Sequence, residues 1–523
     1  MFKIKKAVAV AVSLAGTLVL AAPKADMGVF CPKPVEVEGS WDLRVPLDGA
    51  FAVSCNDPSA AEWVKRHARE WFGKEPKSVA FRLVEDKPGD ESYTLACDEN
   101  GVAIDATSLD GVRYAMYTLR QAAVPKRGTA TVEGYIAPKL RVVDRPALGF
   151  RGIHFCWFPE YPKIQMEKRI RMAAYLKFNY VVIENWGAWR SETHPWYGWA
   201  DGEMTADEIR RLVAIAKDLG VTLVPQLNIF GHATLSRGQS GKHAGLDVSP
   251  ERQTLFEPVN GWNWCLTNPE TLRVQKEMLK ELWELFGRPA YVHLGCDEAN
   301  PPSCPDCLAA NWGELVAKHI GAMCDYAESL GAHPMLWQDM FLDAKDQRWR
   351  GWYAHGTPET AALVHTLPKN AIICDWYYEA PHDDYPTMKY FKELGFPTVT
   401  SPCYHEKGCA AQAKFAKAHG IGYLATTWTY LYGGLLEDVF TRNAFAAWSA
   451  CERPAGYEKD SKGRFMTQWR QVGWDAGVTN RLDTGVFSEQ SPGRTQEYNG
   501  WRGGRTGGWL DHPWPWEKQV RGQ

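Results

Sequence analysis

The chain predicts an α/β fold, an eight-stranded parallel β/α (TIM) barrel preceded by a small α+β domain. Three observations carry that prediction. From Phe150 onward, eight short β-type runs alternate with helical stretches, and a dozen or more residues between runs suit parallel crossovers. The runs are near-continuously apolar, as strands buried on both faces must be. Polar and aromatic residues gather where each run ends, and in a barrel those ends converge on one face.

Each element can be justified in order. The amino terminus, "MFKIKKAVAVAVSLAGTLVLAAPKAD", sets Lys3, Lys5 and Lys6 before an uncharged run closed by small residues. This is the order of a secretory signal over residues 1–22, and export to the periplasm or medium is expected. No cysteine stands at the cut to support a lipid anchor, and no later run of about 18 apolar residues would span a membrane. Residues 30–145 read as the small domain. Its strands lie around Tyr93–Ala96 and Val102–Ala106, and a following helix carries Tyr114, Tyr117 and Leu119 on its apolar positions. Pro146 marks a link into the barrel, residues 146–453.

The eight runs are "FRGIHFCW", "NYVVIENW", "VTLVPQLNIFGH", "YVHLGCDE", "HPMLWQDM", "AIICDWYY", "PTVTSPCY" and "GYLATTWTY". Among the helices between them, "TADEIRRLVAIAKDLG" opens on a capping box, Thr205 to Glu208, and reaches a terminal Gly220. "NPETLRVQKEMLKELWELFG" opens on Asn268 with Pro269 at its first position. An open doubly wound sheet is the competing fold, but it would advertise a phosphate-binding glycine loop after its first strand, and "FRGIHFCWFPE" has none. Residues 454–523 turn rich in Gly, Trp and Arg and read as an irregular extension.

Composition narrows the partners. A net charge of -3 on 523 residues gives no electrostatic footprint for nucleic acid. The 24 tryptophans suit faces that stack on sugar rings, with core packing as the alternative. Thirteen cysteines, an odd number, leave at least one unpaired within the chain. Cys304 and Cys307 form a Cys-x-x-Cys pair, but no second such pair or His-x-x-x-His stands at zinc-finger spacing. They read as a loop disulfide or free thiols, and no metal or cofactor is expected.

The chemistry centres on Asp297 and Glu298. Adjacent residues of a regular strand point to opposite sides, so both reach one ligand only if the backbone turns at the strand end. Carboxylates beside aromatics suit glycoside cleavage, yet neighbours cannot flank a scissile bond from opposite sides, so one of them must do something other than attack carbon.

"HLGCDEA" resembles the His-x-Gly-x-Asp-Glu signature of glycoside hydrolase family 20, the β-N-acetylhexosaminidases. "SLDGVRYAMYTLRQ" is similar to that family's small domain, "GFRGIHF" to its first strand and "LVPQLNIFGH" to its third, across residues 90–450. "VIENW", "MLWQDMF" and "TTWTYL" look closest to the hexosaminidase D-like branch. The resemblance implies removal of terminal β-linked N-acetylhexosamine with retention, the substrate's own acetamido oxygen attacking the anomeric carbon. It implies that Asp297 holds the acetamido N–H while Glu298 acts as general acid and then base. It places Arg151 on sugar hydroxyls, walls the acetamido pocket with Trp337, Trp376 and Trp428, and makes Tyr404 a donor to the acetamido oxygen. His232 and Glu184 become a pair tuning the proton behind Glu298, and Asp339 a further substrate contact. Where better-known members end the last strand with Trp-x-Glu, "WTY" puts Tyr430, which suggests tolerance of, or preference for, galactosamine over glucosamine. Two other readings stay open at this stage: a glycosidase with a direct nucleophile such as Glu406, and a glycan-binding protein without turnover.

Overall fold

The computed structural model describes residues 30–84, 90–128, 132–157, 163–197, 204–233, 250–257, 261–428 and 433–454, with a few positions from 457 to 472. The expected secretory signal, residues 1–22, and Tyr430 lie outside the described residues.

The small domain runs β1 (Glu36–Pro46), β2 (Ala50–Ser54), α1 (Ala60–Phe72), β3 (Ser78–Arg82), β4 (Tyr93–Asp98), β5 (Gly101–Ala106), α2 (Leu109–Ala122), β6 (Val124–Arg127) and β7 (Val132–Asp144). Its mixed sheet has the order β1-β7-β4-β5-β2-β3, with β6 also on β7. Strand β4 buries alternate residues, Tyr93, Leu95 and Cys97, the pattern of a sheet with one covered face. Ser108 caps α2 by accepting from the Gly111 N–H at 3.2 Å.

The barrel follows as β8 (Arg151–Trp157), α3 (Ile164–Tyr175), β9 (Tyr180–Asn185), α4 (Ala206–Asp218), β10 (Thr222–Gln226), α5 (Pro250–Gln253), α6 (Pro269–Leu285), β11 (Tyr291–His293), α7 (Pro305–Ala309), α8 (Trp312–Leu330), β12 (His333–Trp337), α9 (Pro358–Ala362), β13 (Ile372–Trp376), α10 (Pro386–Glu393), β14 (Thr398–Ser401), α11 (Glu406–His419), β15 (Gly422–Ala425) and α12 (Gly433–Ser449). All eight predicted runs are barrel strands, paired in parallel and closed through β9–β10 and β15–β8. Helix α4 has the full capping box, the Thr205 hydroxyl accepting from Glu208 N and the Glu208 carboxylate accepting from Thr205 N. Inside the barrel Val182, Val224, Met335, Ile372, Cys374, Val399 and Leu424 pack into one apolar plug. The lumen is therefore a core, not a channel. Beyond Arg453 the expected irregularity does not hold at the described positions: Phe465, Trp469 and Val472 are helical and buried. The first two pack on Phe440 of α12 at 6.1 and 6.3 Å. Among the described residues no helix is long and apolar enough to cross a membrane.

The small domain docks on the amino-terminal rim of the barrel. Arg151, at the start of β8, is fully buried and its guanidinium forks onto Glu91 at 2.7 and 2.9 Å, with the Tyr114 hydroxyl and the Leu148 carbonyl also bonded. Lys177, just before β9, donates to Asp144 at 2.7 Å. Asp144 also accepts from the Tyr93 hydroxyl and the Trp448 indole. Burial pulls the Lys177 ammonium down and the Asp144 charge opposes that pull. Two buried cations of the barrel thus meet two anions of the small domain. Removing one partner of such a buried pair leaves the other charge uncompensated, a loss of about 3–5 kcal/mol. Asp144→Ala is expected to lower unfolding free energy by about that amount, read as a drop in the urea midpoint; a loss below about 1 kcal/mol would show the pair to be dispensable.

Candidate active site

The carboxyl ends of the strands form the opposite rim. Strand β11 is regular only to His293, although its ladder with β12 persists through the Trp337 N–H bond to the Gly295 carbonyl at 2.9 Å. The backbone then turns left-handed at Gly295 (φ 69°), Cys296 (φ 83°) and Glu298 (φ 44°). Gly295 has no room for a side chain, since a Cβ would stand 2.2 Å from Asn228 Oδ1. Non-glycine residues held in this region cost about 1–3 kcal/mol each and persist only where surrounding contacts impose them. Those contacts are visible. Asp339 Oδ2 accepts the Glu298 N–H at 2.9 Å and the Trp262 indole donates to the Glu298 carbonyl at 2.7 Å.

The turn brings both acids to one side. His232 Nε2 lies 3.3 Å from Asp297 Oδ2 and 3.5 Å from Glu298 Oε2. His232 is itself left-handed (φ 54°), and it follows Gly231, where a Cβ would meet the Asp297 carbonyl at 2.4 Å. The Asp297 side chain is 10% exposed, whereas that of Glu298 is 32% exposed and opens to the mouth. Burial disfavours charge on His232, but the Asp297 charge, the contacts with both carboxylates and the Glu184 charge outweigh it and push the imidazole up to about 10.

Beneath the pair lies a buried polar layer in the lumen. Glu184 accepts from Asn228 at 2.6 Å and sits 3.3 Å from His154 Nε2, and Gln226 donates to Asn228 at 2.9 Å. Glu184 therefore anchors this layer and acts on His232 through its charge.

Aromatic rings wall the mouth. Trp337 is fully buried, with His293 at 4.2 Å and Trp428 edge-on at 5.3 Å. Trp376 stacks between Tyr353 at 4.4 Å and Tyr378 at 5.1 Å, and the Trp428 indole donates to the Tyr378 hydroxyl. Tyr404, 41% exposed, meets Tyr378 edge-on at 6.1 Å.

Two expectations need correction. Arg151 is sealed on the amino-terminal rim by Glu91 and is in no position to bind a sugar at the mouth. Asp339 is fully buried, and its oxygens are taken by Glu298 N, His355 Nδ1 at 3.0 Å and the Trp376 indole at 3.3 Å. It is a positioning residue that holds the acid and the wall. Burial pushes its carboxyl up, the His355 bond opposes this, and the Asp297 charge adds to it. Asp375, in β13, faces out of the barrel towards Thr387 of α10, and burial pushes it up to about 7. Trp262, His355, Tyr353 and Tyr378 were not anticipated. Only Tyr378 had a signal, since it stands two residues beyond Trp376 and so shares its face.

A concavity of about 660 Å³ lined by Ser92, Thr107, Asp144 and Arg145 lies on the small domain and has no part in this constellation.

A closed parallel barrel bearing an acid pair within an aromatic-walled mouth defines the class of site. The chain belongs to glycosyl hydrolase family 20: the family's catalytic-domain model matches residues 178–447 and its domain 2 model residues 30–145. It is 26% identical over 361 residues to a β-hexosaminidase of Vibrio furnissii, covering 59% of this chain and 56% of that protein. It is 30% identical over 251 residues to a β-N-acetylhexosaminidase of Cellulomonas fimi, covering 43% and 48%. The chain thus spans about half the length of these curated relatives. The fold is similar to that of a family 20 exo-β-N-acetylglucosaminidase from Vibrio harveyi solved with N-acetylglucosamine, at TM-score 0.63 and 18% identity over 87% of this chain and 79% of that one.

The His232 cation generates a pH prediction. Its folded value near 10 exceeds the ordinary 6.5, so its stabilising contribution is full below about pH 6.5 and is lost as pH rises through about 10. Denaturant titrations from pH 6 to 10 are expected to show wild-type stability falling faster than that of His232→Gln; parallel profiles would mean the imidazole is neutral.

Proposed function

We propose that the protein is an exo-acting, retaining β-N-acetylhexosaminidase that uses substrate-assisted catalysis. The supporting observation is the convergence of Asp297 and Glu298 on one His232 nitrogen, at 3.3 and 3.5 Å. Two acids on the same side cannot serve as donor and nucleophile on opposite faces of a sugar. The nucleophile must come from elsewhere, and a 2-acetamido oxygen carried by the substrate supplies it.

In this reading Asp297 accepts the acetamido N–H and faces the positive charge that develops on the ring. Glu298 gives its proton to the glycosidic oxygen as the C1–O bond breaks and the acetamido oxygen closes on C1. It then takes a proton from the water that opens the oxazolinium, which restores the starting configuration. The His232 imidazolium offsets the Glu298 carboxylate left after the first transfer. Trp337, Trp376, Trp428 and Tyr378 shape the apolar wall for the acetamido methyl, with Tyr404 as donor to its oxygen. The rival nucleophile Glu406 is occupied by a fork from Arg453, at 2.9 and 2.6 Å, which holds its carboxyl below the usual range. Tyr430, standing where a glutamate is usual, supports tolerance of galactosamine. The Lys-rich, then apolar, amino terminus supports export.

The test is turnover of aryl β-glycosides of GlcNAc, GalNAc, glucose and galactose. Release from only the two acetamido sugars, abolished in Glu298→Gln, is expected; turnover of glucose or galactose at comparable rates would refute the mechanism. Asp339→Ala, which touches no substrate, is expected to lower kcat by about 10–100-fold with little change in KM, and an unchanged kcat would remove its positioning role.

A further inference from the structure

We propose that Cys265, Cys304, Cys307 and Glu257 form a structural zinc site that fastens the loop bearing the acid pair. The cysteine pair had no partner at motif spacing, but the fold supplies one. The three Sγ atoms and a carboxylate oxygen of Glu257 all lie within 4.8 Å of one another. Cys265 Sγ stands 3.7 Å from Cys304 Sγ and 3.8 Å from Cys307 Sγ. A tetrahedron with Zn–S bonds of about 2.3 Å has sulfur–sulfur edges of roughly 3.8 Å, whereas a disulfide needs about 2.05 Å.

Glu257 adds an independent pointer. It is 4% exposed, and its Oε2 accepts from Ser303 N, Ser303 Oγ and Cys304 N at 2.7, 2.9 and 2.7 Å. Its Oε1 is buried with no hydrogen-bond partner. A carboxylate fixed through one oxygen, with the Cys307 thiol beside it and no regular hydrogen bond on its second oxygen, is suited to give that oxygen to a cation. The sulfurs are likewise oriented: Cys307 N donates to Cys304 Sγ at 3.2 Å, and Thr267 Oγ1 lies 3.2 Å from Cys307 Sγ. Three soft thiolates and one carboxylate, with no ligand position left for substrate, select zinc in a closed structural role over magnesium or calcium.

The placement gives the ion its purpose. Glu257 and Cys265 bracket the loop before α6, and Cys304 and Cys307 follow the acid pair. Between them the Trp262 indole holds the Glu298 carbonyl, and Asn263 and Asn300 exchange bonds at 2.7 and 3.0 Å. The metal would bind these two loops together behind Glu298. The inference does not depend on the reaction proposed above.

The experiment uses untagged full-length protein purified without chelator in zinc-containing buffer, then desalted. Elemental analysis and native mass spectrometry are expected to find about one zinc per chain, lost from Cys304→Ser and Cys307→Ser but kept in Cys451→Ser. Cobalt exchange into the wild type is expected to give the visible bands of a tetrahedral thiolate site, so the proposal stays testable if a variant fails to fold. Metal-free wild type with reduced thiols, an intact mass showing a disulfide among these cysteines, or zinc retained by both serine variants would each overturn it.

Discussion

The site depends on a single constraint: two consecutive residues must present their carboxylates to the same side of a chain whose strands alternate. Strand β11 meets it by ending early and turning left-handed at three of four positions from Gly295 to Glu298. That conformation is unfavourable for Cys296 and Glu298 in isolation. It is held from three directions, by Asp339 on the Glu298 N–H, by Trp262 on the Glu298 carbonyl and by the Gly231–His232 segment pressed against Asp297. The supports come from the connections that follow β10 and β12, so the acid pair is a product of barrel closure and not of its own segment.

The same economy runs through the electrostatics. His232 stands between the two acids as a cation, and Glu184 below it belongs to a buried layer that also orders Asn228 and His154. Asp339 joins the acid to the wall, because one carboxylate bonds the Glu298 backbone and the Trp376 indole together. A displacement of the wall is therefore also a displacement of the acid. Rigid support of this kind is what places a proton donor within reach of its target.

Much of this was legible in the chain, for identifiable reasons. The eight strands could be read because burial on both faces makes each an apolar run, and α4 because its capping box is local. The acid pair stood out because charge at the end of such a run is costly without a use. Arg151 was misread because its neighbours resemble a sugar-binding strand, although the first residue of a barrel strand belongs to the other rim. Asp339 and Trp262 act on backbone atoms of residues 41 and 36 positions away, and no spacing rule reports that. The Cys304–Cys307 pair was visible, but its counterparts lie 39 and 47 residues earlier, brought near only by the fold. Phe465, Trp469 and Val472 keep a helical spacing that the surrounding Gly and Arg obscured.

The junction on the amino-terminal rim bears on how the chain is made. Synthesis delivers the small domain first, and domains fold largely as units in that order. Glu91 and Asp144 both belong to that first-made domain and precede Arg151 and Lys177 in the chain. A small domain that folds first would offer each cation a prepositioned anion at the moment it sheds its hydration shell, and so act as a template against which the barrel sets its first two strands.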